Sequence, residues 1–134
     1  MKRVSDLMTR DVRTIAQDAP MSSAIQLLAD GHVSALPVLN GRGDMVGVVS
    51  STDILAAEAE TDDSRSLGRV VTQTNVAEIM ATTPKTIQAD ADIKLAAQEM
   101  LYLDVHRLFV VEDGALVGVI SQSDIVRAVA TGQL

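Results

Sequence analysis

Two seven-residue stretches carry the chemistry open to this chain. Gly47-Val48-Val49-Ser50-Ser51-Thr52-Asp53 and Gly118-Val119-Ile120-Ser121-Gln122-Ser123-Asp124 share the order Gly-x-x-Ser-x-x-Asp. A glycine at the head of such a stretch lets another backbone or a small molecule approach closely. Serine and aspartate three residues apart bracket the first turn of a helix, where unpaired N–H groups and a partial positive charge suit a phosphate. An aspartate beside that turn can accept two hydrogen bonds from a ribose diol. On this reading Asp53 and Asp124 hold sugar hydroxyls, and Ser50, Thr52, Ser121 and Ser123 supply hydroxyls near ribose or phosphate. The plainer alternative is that these residues only cap their helices.

The elements that position the two stretches also come twice. Val4-Ser5-Asp6-Leu7-Met8 returns as Val76-Ala77-Glu78-Ile79-Met80, Thr14-Ile15 as Thr86-Ile87, and Met21, Ala24, Ile25, Leu28 as Ile93, Ala96, Ala97, Met100, all at an offset of 72 residues. Beyond Asn40 the offset becomes 71. Each copy reads as a short helix, a small extended piece, an amphipathic helix with apolar i, i+3, i+4, i+7 spacing, a strand hairpin and a closing helix. In the first copy the short helix is Ser5–Met8, Pro20 opens the main helix and Gly31 stops it. Ala35–Leu39 and Met45–Ser50 form the hairpin, and the last helix runs about Thr52–Glu60. In the second the main helix spans about Asp92–Leu103, the hairpin turns at Glu112-Asp113-Gly114 and the last helix spans about Ser123–Thr131. The polar segment Thr61–Asn75 reads as a solvated linker without periodicity before Val70-Val71.

Composition narrows the function classes. The chain has 134 residues, 47% of them apolar, with Tyr102 and Phe109 as the only aromatics. Its core must therefore be aliphatic, which suits buried strands under amphipathic helices. There are no cysteines, so disulfides and thiolate metal sites are excluded and a cytoplasmic setting is expected. Basic residues at the start are not followed by an apolar run, so no signal peptide is expected, and no stretch approaches the roughly 20 apolar residues of a membrane helix. A formal charge of −7 argues against nucleic acid, but not against one small anion held by a local basic pair. Single histidines, His32 and His106, no paired-His spacing and no nucleophile motif leave no catalytic residue and no metal ligand set, so the chain is not expected to be an enzyme.

With these features the chain resembles the CBS-domain family, in the tandem form called a Bateman module. The resemblance covers roughly Val4–Ala57 and Val76–Ala130; its most specific parts are the two Gly-to-Asp stretches and Val33-Ser34-Ala35-Leu36-Pro37-Val38. It implies an α/β (α+β) fold of two β-α-β-β-α units, each a small sheet covered by two helices, related by a pseudo-two-fold. Repeat 1 would span 1–60, a linker 61–75 and repeat 2 76–134, packed as one module. It also implies a binding module for AMP, ADP, ATP, an NAD-type ligand or S-adenosylmethionine, held in clefts between the halves, that regulates a separate partner protein. Carried over residue by residue, site A joins Met8, Arg13, Ser34 and Ala35 to His106, Ser121, Gln122, Ser123 and Asp124. Site B joins Met80, Lys85, His106 and Arg107 to Ser34, Ser50, Ser51, Thr52 and Asp53. Met8 and Met80 would line an adenine face, or else serve as ordinary core methionines. Arg107 and His106 would reach phosphate, with Arg13 and Lys85 as further candidates or plain surface charges. Repeat 1 has uncharged Ser34-Ala35 in the matching place, and Phe109 stands where repeat 1 has Pro37 and where the family usually has proline. That ring fills core space or narrows a cleft.

The leading expectation is thus a sensor of an adenine nucleotide, forming a homodimer through helix faces that one module leaves uncovered. The alternative is a structural adaptor that binds no ligand.

Overall fold

Both copies of the repeat build the same run of elements. In the computed structural model, which describes residues 2–133, these are α1 (Val4–Leu7), β1 (Ile15–Ala16), α2 (Met21–Gly31), β2 (Ala35–Leu39), β3 (Met45–Ser50), α3 (Ser51–Ala59), α4 (Ser64–Gln73), a 3-10 turn at Val76–Glu78, β4 (Thr86–Gln88), α5 (Ile93–Leu103), β5 (Arg107–Glu112), β6 (Ala115–Ser121) and α6 (Gln122–Ala130). Met1 and Leu134, the outer bounds of the expected repeats, lie outside the described residues. The strands form two three-stranded sheets, β1-β2-β3 and β4-β5-β6. In each, the first pair is parallel and the hairpin antiparallel. The mixed α/β character and the β-α-β-β-α order are as the sequence implies.

The slip in repeat offset has a local cause. In the first hairpin Leu39 pairs with Met45, in the second Val111 pairs with Leu116, one residue nearer. The longer loop is tied by Asn40, whose side-chain oxygen accepts from the N–H groups of Arg42 and Asp44. The shorter one is an Asp-Gly turn with φ of 51° at Asp113 and 82° at Gly114, the positive-φ pair that a two-residue hairpin turn requires.

Compact units and sequence repeats do not coincide. One unit consists of Arg13–Pro84; the other combines Met1–Val12 with Lys85–Leu134. We call them inner and outer, after their place in the sequence. Val4, from the head of the first copy, is fully buried in the core that Ile87, Ile93, Met100, Leu108, Val110 and Ile120 form in the outer unit. Val76, from the head of the second copy, is fully buried with Ile15, Ala24, Leu28, Leu36, Val38 and Val49 in the inner unit. Backbone bonds fix both exchanges: Val4 N–H donates to Ala91 O at 2.8 Å, and Val76 N–H to Ala19 O at 2.8 Å. No polar or charged residue is buried among the described residues.

Two local expectations need correction. The segment Thr61–Asn75, expected to lack periodicity before Val70-Val71, holds a helix, α4, which packs on α2. Asp63 caps that helix by accepting from Ser66 N–H at 2.7 Å, and this bond holds its carboxyl below the usual aspartate range. Once α2 offers an apolar surface, Leu67, Val70 and Val71 have something to cover. Gly31 does not itself stop α2. It closes the last turn, and His32 takes the left-handed position at φ 51°, as Asp104 does after α5 at φ 55°. Histidine and aspartate are among the few non-glycine residues that tolerate that region.

Phe109 fills core space: it is 6% exposed. Unlike Pro37 it also has an N–H, which donates to Lys85 O at 3.2 Å. Accordingly β4 pairs with β5 over Thr86, Ile87 and Gln88, one residue more than β1 pairs with β2.

Candidate functional site

Each unit gathers one Gly-x-x-Ser-x-x-Asp stretch at its last strand-to-helix junction. In the outer unit Ser121 ends β6 and caps α6. Asp124 N–H donates to Ser121 Oγ at 3.2 Å, and Ser121 N–H donates back to Asp124 Oδ2 at 2.8 Å. In the inner unit Ser50 ends β3 and caps α3; its N–H and its Oγ–H both donate to Asp53 Oδ2, at 2.7 and 3.0 Å. Serine and aspartate thus form a reciprocal capping box in both places. The capping role weighed against ligand contact is observed, and it uses one oxygen of each carboxylate.

The first helical N–H of each junction points back to the preceding hairpin strand. Gln122 N–H donates to His106 O at 2.9 Å, and Gln122 Nε2 to Val105 O at 3.2 Å. Ser51 N–H donates to Ser34 O at 2.9 Å. His106 therefore lies beside Ser121–Asp124, and Ser34 beside Ser50–Asp53. The next N–H groups, of Ser123 and Thr52, lie in the first turns of α6 and α3, where a helix offers its own N–H groups no intrahelical acceptor. A free N–H at a helix start is a ready donor to an anion.

The glycines that head the stretches serve a close approach, and the two methionines make it. A Cβ on Gly118 would stand 2.7 Å from Thr9 O and 2.8 Å from Met8 Sδ; one on Gly47 would stand 2.5 Å from Ala81 O and 2.7 Å from Met80 Sδ. Thr9 and Val119 exchange N–H···O bonds of 2.8 and 2.9 Å, and Ala81 and Val48 exchange bonds of 2.8 and 2.9 Å. The segment holding each methionine is therefore stitched to the strand that leads to the aspartate. Met8 and Met80 are half-buried, neither sealed in a core nor free on the surface.

The structure thus brings Met8, His106, Ser121, Gln122, Ser123 and Asp124 of expected site A into the outer unit, and Met80, Ser34, Ser50, Ser51, Thr52 and Asp53 of expected site B into the inner one. Of the rest, Arg13 and Ala35 belong to the inner unit, and Lys85 and Arg107 to the outer. Arg13 has a local partner that sequence reading did not foresee. Its guanidinium lies beside the last residue of α2, Nη1 3.5 Å from where a Cβ on Gly31 would stand, at the helix end that attracts cations. Lys85 and His106 are exposed and Arg107 half-buried in β5. A hollow of about 200 Å³ adjoins Asp124, lined by Asp6, Leu7, Arg127 and Thr131 among others. Asp6 and Arg127 were not singled out from the sequence; only α1 lying against α6 makes them neighbours. No group of three metal-ligating side chains gathers among the described residues, and no helix there is long and apolar enough to cross a membrane.

Comparison with known proteins identifies the fold. The family model of the CBS domain matches twice, at residues 4–60 and 76–131. The chloroplastic CBS domain-containing protein CBSX1 of Arabidopsis thaliana is 26% identical over 148 residues, covering 93% of this chain and 63% of the relative's length. A crystal structure of CBSX2 in complex with AMP superimposes with a TM-score of 0.81 at 28% identity, covering 98% of both chains. The gamma-3 subunit of the human 5'-AMP-activated protein kinase is 30% identical over 125 residues, which cover 89% of this chain and 24% of that subunit. The chain therefore spans under two-thirds of the length of these curated relatives. The doubled Gly-x-x-Ser-x-x-Asp junction, the paired sheets and the two family matches together make this chain a member of the CBS-domain family, with two CBS domains in tandem.

Proposed function

We propose that this chain is a regulatory module that binds an adenine nucleotide or a related adenosyl ligand and passes its occupancy on to a partner protein. The observation that carries the reading is the AMP bound by CBSX2, whose fold this chain shares along 98% of its length. In support, each unit presents a half-buried methionine, a first-turn helix N–H and a capping aspartate whose second carboxylate oxygen takes no part in the cap. The methionine gives adenine an apolar face. The N–H of Ser123 or Thr52 suits phosphate, and the remaining oxygen of Asp124 or Asp53 suits a ribose hydroxyl. His106, Lys85 and Arg107 in the outer unit, and Ser34, Ala35 and Arg13 in the inner unit, complete the set of proposed contacts. No reaction is assigned to these groups; the ligand acts by its different affinity for two conformations of the protein.

Thermal melting with AMP, ATP, NAD and S-adenosylmethionine checks the reading. A ligand at 100 times its dissociation constant is expected to stabilise the fold by about 2.7 kcal/mol. If none of the four raises the melting temperature, the adaptor reading takes over, because both capping boxes serve the fold without a ligand.

We further propose a homodimer. Among the described residues, five of the six large hydrophobic side chains left exposed, Leu95, Leu101, Tyr102, Val126 and Val129, stand on α5 and α6. A groove of about 220 Å³ lies between these helices, floored by Ala97, Met100 and Ile125. A second copy covers such a face by closed two-fold symmetry. Sedimentation equilibrium at micromolar concentration should give twice the chain mass of 14.2 kDa, and Leu101→Glu should return it to a single chain. Absence of cysteine suits the reducing cytoplasm, which fractionation of the native source would check.

A further inference from the structure

The two capping aspartates differ in what capping leaves over. Asp124 Oδ1 lies 3.5 Å from Arg127 Nη1, one turn further along α6, in the one salt bridge among the described residues. Asp53 Oδ1 has no hydrogen-bond or charged partner there. The cause is a single difference between the copies: the residue three places after Asp53 in α3 is Ala56, and the residue three places after Asp124 in α6 is Arg127. The carboxylate is 14% exposed and the arginine 71%, so the guanidinium reaches over Asp124 from the solvent side.

We infer that Arg127 is a positioning residue that holds Asp124 back from the ribose, so that the inner unit takes an adenosyl ligand first and the outer unit second and more weakly. The inference rests on the ribose role proposed above for the aspartates. A ribose diol donates two hydrogen bonds, and an ionised carboxylate only accepts. In both aspartates Oδ2 already serves the capping serine. Asp53 Oδ1 stands ready with its lone pairs. Asp124 Oδ1 must first release or share the guanidinium, a charge-assisted partner that the sugar hydroxyls have to displace. The pair is long and its arginine exposed, which places it among weak surface ion pairs. The handicap is therefore a matter of a few-fold in affinity and not a block. One motif used twice thus acquires two affinities through one side chain, and a module with two affinities responds over a wider range of ligand concentration than one with two equal sites.

Isothermal titration calorimetry with AMP on the full chain tests the inference, using wild type, Asp53→Asn, Asp124→Asn, Arg127→Ala and Ala56→Arg. Asparagine keeps a side-chain oxygen for the capping serine while losing the charge. Two binding events are expected, the tighter one lost in Asp53→Asn and the weaker one in Asp124→Asn. Arg127→Ala should tighten the weaker event by roughly two- to fivefold, the worth of an exposed ion pair, without a change in melting temperature beyond about 2 °C. Ala56→Arg should weaken the tighter event by a similar factor. Equal losses from the two asparagine variants, or weaker binding in Arg127→Ala, overturn the ordering and leave the ribose role standing. AMP binding untouched by either asparagine variant removes the ribose role itself, and the inference with it.

Discussion

Replacing Leu108 by alanine is expected to cost about 2–5 kcal/mol, the range for a large aliphatic side chain cut back in a close-packed core. Leu108 is fully buried in β5, the central strand of its sheet, amid Val4, Ile93, Met100 and Ile120. It has aliphatic neighbours from α1, α5 and β6, so the cavity cannot collapse by moving one of them alone. A domain of this size holds about 5–15 kcal/mol in all, so a large share of its stability, about a third at mid-range, is at stake. Urea denaturation measures it: the midpoint should fall sharply with the slope unchanged. Leu55→Ala is the control. The same side chain on α3 is 62% exposed and lies outside the proposed dimer face, and its loss should stay within about 0.5 kcal/mol. Similar costs for the two leucines would mean that the packing is wrong.

Gly118→Val is expected to cost about 1–3 kcal/mol by overpacking, and to loosen one particular segment. The new Cβ would stand 2.7 Å from a backbone oxygen, that of Thr9, which cannot swing aside as a side chain does. Thr9 is held there by its two bonds with Val119. Either the hairpin strand shifts or the Met1–Val12 segment lifts off β6, taking Val4 out of the core. Hydrogen exchange separates these outcomes. Amides of Val4, Ser5 and Thr9 should lose protection well before those of β5, and nucleotide affinity should fall because Met8 leaves with the segment. Gly41→Ala gives the baseline: nothing lies within 4 Å of its added Cβ, and its φ is not positive. Unchanged protection of Val4 in Gly118→Val would show that the close approach is not what keeps the segment in place.

Much of the fold was legible because its signals are local. The hairpin strands Ala35–Leu39 and Met45–Ser50 fall where the apolar runs put them. Alternation and turn residues speak of a strand regardless of what lies on it. The capping serines were legible for the same reason, since a cap and its helix are three residues apart. The helix α4 was not. Gly68 and a largely polar sequence hide a stripe of Leu67, Val70 and Val71 that matters only because α2 lies alongside. The candidate site divides the same way. Both Gly-x-x-Ser-x-x-Asp junctions were visible as motifs, but not how their carboxylates divide their oxygens. That depends on Arg127 one turn along and on Ala56 in its place in the other copy. Nor could spacing show that Arg13 lies at the end of α2, because the two are eighteen residues apart.

By itself the sequence determined the element order within each repeat, the doubling, the aliphatic core and the two junctions where a ligand could meet a helix start. Periodicity and capping act within a few residues, so they survive in a string of letters. Tertiary structure alone decided which sheet each leading segment completes. Val4 enters the core of the outer unit and Val76 that of the inner, each leaving the copy it heads. Their five-residue surroundings share one pattern, valine first, an acid third, an aliphatic fourth and methionine last, and hydrophobic burial is non-directional; either sheet offers either valine an apolar seat. The choice falls to backbone bonds between residues 87 and 110 positions apart, Val4 to Ala91 and Thr9 to Val119, and to the way the chain between them closes.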